Sequence, residues 1–146
     1  MLLNACKHFN SFVVEIRKMK ILIVDSSVHI IKRWMEMLSE TENHLSIDKA
    51  ISYHEAAKAF KENMHDVVLL DLGLPLSKSF DLIWEMKKWN PESIIFVLAI
   101  HTDSAIQEQC IELGADLFFD KYNDFEQIPP LIDAIAAKKK GNRKTG

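Results

Sequence analysis

The sequence predicts an α/β domain built on a five-stranded parallel sheet, doubly wound with helices on both faces. Three observations lead to this class. Short apolar runs alternate five times with amphipathic, helix-length segments, and the links between them are short. The runs are apolar at nearly every position, as parallel strands are when both of their faces are buried. With right-handed crossovers, we expect the strand order 2-1-3-4-5.

The amino-terminal half contains two strand–helix units. Residues 21–24 form the first strand, and Ser26 or Ser27 can cap the helix that follows. This helix carries one apolar stripe, made of Ile30, Ile31, Trp34, Met35 and Leu38. A second strand is expected near residues 45–50, and a capping box at residues 52–55 opens the second helix.

Three more units complete the alternation. Their strands are predicted at residues 67–70, 94–98 and 117–119. The third helix ends at Asn90-Pro91, and Gly114 is a natural left-handed residue after the fourth. The last helix starts near Glu126 and tolerates Pro129 and Pro130, because both fall in its first turn.

The chain is expected to divide into three parts. Residues 1–18 form an amino-terminal extension that lacks the basic-then-apolar order of a signal peptide, and Met19 is a candidate for the natural start. Residues 19–137 hold the folded domain. Residues 138–146 form a basic tail that we expect to be disordered, with a weak electrostatic arm for an acidic partner as the alternative.

Charge and composition exclude several classes. The chain carries −3, and its last nine residues carry five positive charges and no acid, so residues 1–137 carry −8 and repel nucleic acid. No apolar run approaches the length of a membrane span. Cys6 and Cys110 form no paired motif, which favours a reducing, cytoplasmic location. The six scattered histidines are interpreted as surface or structural residues.

Carboxylates end two of the predicted strands. The run at residues 21–24 ends in Asp25, and the run at residues 67–70 ends in Asp71. In the expected order, the topological switch lies between strands one and three, and ligands bind there at the carboxyl ends. Two aspartates at this edge can build a pocket that binds a hard divalent cation and holds a nucleophile.

Three motifs at these positions make the chain resemble the receiver domain of response regulators, the phosphoacceptor module of two-component signalling. They are Ile-Leu-Ile-Val-Asp at 21–25, Val-Val-Leu-Leu-Asp-Leu-Gly-Leu-Pro at 67–75 and Gly-Ala-Asp-Leu-Phe-Phe-Asp-Lys at 114–121. Each motif is weak alone, and together they are highly specific. The resemblance covers residues 19–137 and implies a chemotaxis-regulator-like domain with a flavodoxin-like fold.

The resemblance implies a role for each residue of the expected site. Asp71 matches the family's phosphorylated aspartate, which takes a phosphoryl group from a phosphohistidine. Asp25 matches one of two acids that hold Mg²⁺, and Gly73 matches the position whose backbone carbonyl completes the metal's shell. Mg²⁺ prefers such oxygen ligands. Lys121 matches the lysine that contacts the aspartyl phosphate.

Four positions depart from the family pattern, and a fifth keeps the family's aromatic ring without a hydroxyl. Ser26 stands where the family has a second acid, so one negative charge is missing; Ser26 could still contact Mg²⁺ through a water, but metal affinity should fall. Ala99 replaces the hydroxyl residue that ends strand four and cannot donate a hydrogen bond to a phosphoryl group. Phe118 falls at the family's switch aromatic and lacks a hydroxyl. Tyr122 replaces a proline and Ser79 replaces a glycine, both common in the family.

Together these features predict a stand-alone response regulator in a phosphorelay, which is not itself an enzyme. Its expected partners are a histidine kinase or phosphotransfer protein and a downstream protein target, with a homodimer left open. The alternative is a pseudo-receiver that binds proteins without productive phosphorylation; Ser26 and Ala99 favour it, and the retained Asp25, Asp71 and Lys121 oppose it. A third class, a phosphatase or nucleotide-binding enzyme, is disfavoured because the chain lacks a glycine-rich phosphate loop.

Overall fold

The strands form one parallel sheet. The computed structural model describes residues 18–41, 44–101 and 103–144. In chain order the strands are β1 (Met19–Val24), β2 (Leu45–Ala50), β3 (Val67–Asp71), β4 (Ile94–Ala99) and β5 (Leu117–Asp120). Each neighbouring pair is parallel, and the order is β2-β1-β3-β4-β5. The predicted order 2-1-3-4-5, the flavodoxin-like arrangement, is confirmed.

The helices follow the strands as predicted. They are α1 (Val28–Ser39), α2 (Tyr53–Asn63), α3 (Leu76–Trp89), α4 (Ser104–Leu113) and α5 (Ile128–Lys144), with a 3-10 turn at Phe125–Gln127 before α5. The caps lie near their predicted positions: Ser27 caps α1, Ser52 caps α2 and Gly114 ends α4 with a φ of 118°. None of the helices in the described ranges has the length and apolar composition needed to cross a bilayer.

The hydrophobic core has two layers, one on each face of the sheet. Trp34 of α1 and Ile132 of α5 pack on one face, while Phe60 of α2, Met86 of α3 and Cys110 of α4 pack on the other. Because both faces are covered, the strands need no polar alternation, which explains their continuous apolar runs. The predicted role of Cys110 as a core thiol is confirmed, and burial raises its pKa.

The end of α5 corrects the predicted domain boundary. The helix continues through Lys139 to Lys144, where we expected a disordered tail from residue 138. Alanines in the preceding turn favour helix, and positive charges are stabilised near a helix's carboxyl end, so the basic segment extends α5. Lys139 also pairs with Asp66, with 2.7 Å between Nζ and Oδ1. Residues 145–146 and the predicted extension up to residue 17 lie outside the described residues.

Candidate functional site

The carboxyl edge of the sheet brings Asp25, Asp71 and Lys121 together. Asp25 follows β1 directly, Asp71 is the last residue of the neighbouring β3, and Lys121 follows β5. Parallel strands deliver their carboxyl ends to one edge, so three residues far apart in sequence meet there. Both carboxylates are buried, Asp25 at 2% and Asp71 at 7% exposure.

Lys121 bridges the two carboxylates. Its Nζ lies 2.6 Å from Oδ2 of Asp25 and 2.9 Å from Oδ1 of Asp71. Burial alone lowers the pKa of Lys121, but hydrogen bonds and attraction from both aspartates outweigh it, so the pKa is raised. The ammonium therefore stays charged, and the three side chains together carry one net negative charge.

The backbone that follows β1 fixes the position of Asp25. The backbone N–H of Ser27 donates to Oδ1 of Asp25 at 2.8 Å, while Oδ2 faces Lys121. The backbone N–H of Asp25 itself donates to the carbonyl of Ala50 at 3.1 Å. Ser27 also caps α1, accepting from the backbone N–H of Ile30. The sequence predicted the cap but not this second contact, which depends on the path of the turn after β1.

The loop after Asp71 folds close over its carboxylate. A Cβ atom at Gly73 would lie only 2.9 Å from Oδ2 of Asp71, so a side chain at position 73 would displace the carboxylate. Eight residues after Asp71, the buried Ser79 donates its hydroxyl to the Asp71 carbonyl at 3.0 Å. The structure therefore places Gly73 beside the Asp71 carboxylate and adds Ser79, whose contact the sequence did not reveal.

A cavity of about 550 Å³ opens above these residues. Ser26 and Ala99 line it together with Asp25, Asp71, Gly73 and Lys121.

The far wall of this cavity, between α1 and the turn after β5, is largely apolar and contains Ile30, Trp34, Tyr122 and Phe125. The rings of Trp34 and Phe125 lie 3.9 Å apart, and the Arg33 guanidinium lies 4.3 Å from the Phe125 ring centre. The cavity is open to the surface and is much larger than a phosphoryl group.

The two predicted switch positions, Ala99 and Phe118, line a second cavity of about 370 Å³ beside the first. Ala99 is buried and lines both cavities, whereas Phe118 is half-buried and packs on the α2–α4 face. Asp120 also lines the second cavity, and N–H groups of Asn123 and Tyr122 lower its pKa. The two positions therefore share one cavity, and neither carries a hydroxyl.

The donor set of the site is small for a metal centre. Within residues 18–41, 44–101 and 103–144, no three His, Cys, Asp or Glu side chains cluster as metal ligands do. Ser26 lines the cavity at the position where a third acid would complete such a cluster. The cavity therefore presents two carboxylates, those of Asp25 and Asp71, rather than three.

Comparison with known proteins gives a consistent result. Residues 21–133 match the family model described as the response regulator receiver domain. The chain is 26% identical over 123 residues to the two-component response regulator PhoP of Pseudomonas aeruginosa, covering 84% of this chain and 54% of PhoP. It is 36% identical over 74 residues to a cyclic di-GMP phosphodiesterase of Thermotoga maritima, covering 51% of this chain and 20% of that protein.

A solved structure shows the same fold. The response regulator receiver domain from Clostridium thermocellum is 26% identical, with a TM-score of 0.72, and the match covers 84% of this chain and 97% of that one. The chain thus spans nearly all of an isolated receiver domain, but only about a fifth to a half of the two curated relatives named above. The activities in those relatives' names belong to the whole proteins.

Proposed function

The chain belongs to the response regulator receiver domain family, and from this membership we propose that it relays a signal by accepting a phosphoryl group on Asp71. The proposed donor is a phosphohistidine on a histidine kinase or phosphotransfer protein. One observation carries the proposal: the Lys121 ammonium lies within 2.9 Å of both Asp25 and Asp71, at the floor of an open cavity. Burying such a charge cluster is costly, and a purely structural domain would have no need to keep it.

The proposed step is a direct phosphoryl transfer. A carboxylate oxygen of Asp71 attacks phosphorus, a P–O bond forms as the P–N bond breaks, and the imidazole nitrogen leaves with the electron pair. Phosphoryl transfer depends mainly on positioning and on neutralising the charge of the phosphoryl oxygens. Lys121 supplies a permanent positive charge within hydrogen-bond distance of the attacking carboxylate. The fold supplies the positioning, since Asp71 is held at the end of a buried strand.

The residues present fit a magnesium ion, although with reduced charge. Two carboxylates meet on one cavity, and Oδ2 of Asp71 faces the backbone at Gly73, so the donors are the hard oxygens that Mg²⁺ prefers. Asp25, Asp71 and the Gly73 carbonyl would hold the ion, with Ser26 reaching it through a water. When bound, Mg²⁺ would neutralise phosphoryl oxygens during transfer. We expect weak binding, because Ser26 contributes no charge and Lys121 already offsets one carboxylate.

The output is proposed to be a protein contact in the cytoplasm rather than an enzymatic reaction. Receiver domains are signalling modules, and the match to the phosphodiesterase covers only 20% of that relative, so the activity in its name is not assigned to this receiver domain. Ala99 and Phe118 line the cavity beside the site, and they are the proposed positions through which phosphorylation would change the surface. A downstream protein target, or a second copy of the chain, would bind that surface.

Mass spectrometry tests the proposal directly. The protein is incubated with acetyl phosphate and Mg²⁺ and weighed intact, alongside Asp71→Asn and the control Asp81→Asn, which alters an exposed aspartate on α3. We expect one phosphoryl adduct in the wild type and in Asp81→Asn, and none in Asp71→Asn. An adduct that persists in Asp71→Asn would place the acceptor elsewhere and contradict the proposal.

A second candidate, the pseudo-receiver, is favoured by specific residues. Ser26 removes one charge from the metal site, and Ala99 cannot hydrogen-bond a phosphoryl group. In this alternative the Lys121 bridge would be a permanent feature of a protein-binding module. The absence of any adduct at high Mg²⁺, together with unchanged spectra after addition of beryllofluoride, would favour this candidate over the first.

A further inference from the structure

Ser79 makes a contact that links α3 to the proposed acceptor. It is the fourth residue of α3 and is fully buried. Its Oγ lies 3.0 Å from the carbonyl oxygen of Asp71 and 3.4 Å from the carbonyl oxygen of Pro75. A hydroxyl has one proton to donate, and the shorter contact identifies Asp71 as its main acceptor.

The Asp71 carbonyl lies where the sheet ends. Asp71 is the last residue of β3, and the next backbone N–H, that of Leu72, donates to Leu98 on the neighbouring strand. A buried carbonyl must find a donor, and Ser79 supplies one from the adjacent helix. The contact therefore fixes the main chain of the acceptor residue itself, not a distant part of the loop.

The same contact closes the loop that covers the carboxylate. Residues 72–75 connect β3 to α3, and Pro75 provides no side-chain cap for the helix. Ser79 consequently ties the first turn of α3 to the end of β3, with Gly73 held between them against Oδ2 of Asp71. Loosening this tie would let the loop and the carboxylate shift together.

We propose that Ser79 is a positioning residue for phosphoryl transfer, whose hydroxyl holds the Asp71 main chain so that its carboxylate stays aligned with Lys121 and the Gly73 backbone. The inference rests on the proposed role of Asp71. Ser79 acts through Asp71 and does not touch the phosphoryl group. Transfer needs the reacting atoms in a narrow range of distance and alignment, so a small shift of the strand end slows it.

The test compares two buried serines. Ser79→Ala removes the hydroxyl from Asp71, Ser79→Cys keeps a weaker S–H donor, and Ser93→Ala removes a buried hydroxyl that has no hydrogen-bond partner in the described residues. Ser93 precedes β4 at the opposite edge of the sheet. The rate of adduct formation with phosphoramidate is measured against Mg²⁺ concentration, at a temperature where thermal melts show every variant folded.

We expect Ser79→Ala to lower the maximal rate about fivefold, the factor that one net hydrogen bond supplies, and to raise the Mg²⁺ concentration at half-maximal rate. Ser79→Cys should recover part of the loss, and Ser93→Ala should match the wild type. Equal rates and equal Mg²⁺ dependence in Ser79→Ala and the wild type would overturn the inference, whatever the change in melting temperature. If Ser79→Ala does not fold, Ser79→Cys is compared with the wild type instead. An equal rate and an equal Mg²⁺ dependence would then overturn the inference.

Failure of the proposed function gives a different result. A wild type that forms no adduct with any donor contradicts the role of Asp71. The positioning contact is then judged without a donor, from the amide resonances of Leu72 and Gly73. They should shift in Ser79→Ala and stay unchanged in Ser93→Ala. Unchanged amide resonances in Ser79→Ala would overturn the inference independently of phosphorylation.

Discussion

The two edges of the sheet use aspartate and lysine in different ways. At the carboxyl edge, Lys121 contacts both Asp25 and Asp71, and none of the three side chains is more than 11% exposed. At the amino edge, Lys139 pairs with a single carboxylate among the described residues, that of Asp66, and these side chains are 32% and 21% exposed. The other oxygen of Asp66 accepts the backbone N–H of Lys20 at 2.8 Å.

The difference separates a structural pair from a reactive one. The amino-edge pair is balanced in charge and partly exposed to water. It therefore ties α5 to the sheet at little electrostatic cost. The carboxyl-edge cluster has one carboxylate more than its lysine can neutralise, in a setting where burial strengthens repulsion. The rest of the fold must hold such a cluster in place. The surplus carboxylate is then available to bind a cation or to attack a phosphoryl group.

The largest expected effect comes from removing Lys121, with removal of Lys139 as the matched comparison. Lys121→Met leaves two neighbouring buried carboxylates unpaired, so it should lower the free energy of unfolding by about 3–5 kcal/mol at neutral pH. The matched variant Lys139→Met breaks a partly exposed pair and should cost about 1 kcal/mol or less. Urea denaturation of the two variants measures both values. Equal losses of unfolding free energy in the two variants would contradict the expected difference between the two edges.

A smaller effect is expected from adding a charge at the carboxyl edge. Ser26→Asp places a third carboxylate on the cavity and should tighten Mg²⁺ binding about tenfold, which corresponds to about 1.4 kcal/mol. Tryptophan fluorescence can follow the titration, since Trp34 lines the cavity. Ser39→Asp adds the same charge at the far end of α1 and serves as the control. Unchanged affinity in Ser26→Asp would mean that Ser26 does not lie beside the metal.

The smallest effect concerns His65 at the amino edge. His65 is fully buried, its Nε2 lies 2.7 Å from Oδ2 of Asp48, and its Nδ1 has no hydrogen-bond partner in the described residues. Burial lowers the pKa of His65 below its ordinary value of 6.5; Lys20 acts in the same direction, and Asp48 and Asp66 oppose it. A protonated ring would bury an unpaired Nδ1–H, which explains the preference for the neutral form.

This shift predicts the direction of a pH dependence. The folded state binds the proton more weakly than the unfolded state, so the stabilisation is complete above pH 6.5 and falls as pH drops through 6.5 towards the folded pKa. One such group changes stability by at most about 1.4 kcal/mol per pH unit. His65→Gln can still donate to Asp48 but cannot titrate, so its urea midpoint should fall less on acidification. Parallel curves for both proteins would contradict the assignment.

Much of the carboxyl edge could be predicted from local sequence. Asp25 and Asp71 each end an apolar run, and Lys121 follows the last one, so their meeting needs only the strand order. The capping serines and Gly114 are also local signals, because a cap is satisfied within one helical turn. These predictions succeeded because secondary structure and parallel topology fix where strand ends lie.

Other features depend on contacts between distant elements. The helical continuation past residue 138 depends partly on the ion pair between Lys139 and Asp66, 73 residues apart. The buried state of His65 depends on its packing against Phe60 and on Asp48 of β2. The sequence around a lysine or a histidine does not show whether the side chain is paired or buried. The tail was therefore predicted as disordered, and His65 only as a surface or structural residue.

The sequence by itself determined the sheet, its order and the three charged residues at its carboxyl edge, because periodicity and strand ends are encoded locally. Only the tertiary structure decided how those charges are shared. It alone shows that one ammonium bridges two carboxylates, that Ser79 reaches the Asp71 carbonyl, and that apolar side chains of α1 help to form one wall of the open cavity. These are distances of a few ångströms between separate elements, and packing sets them rather than residue type.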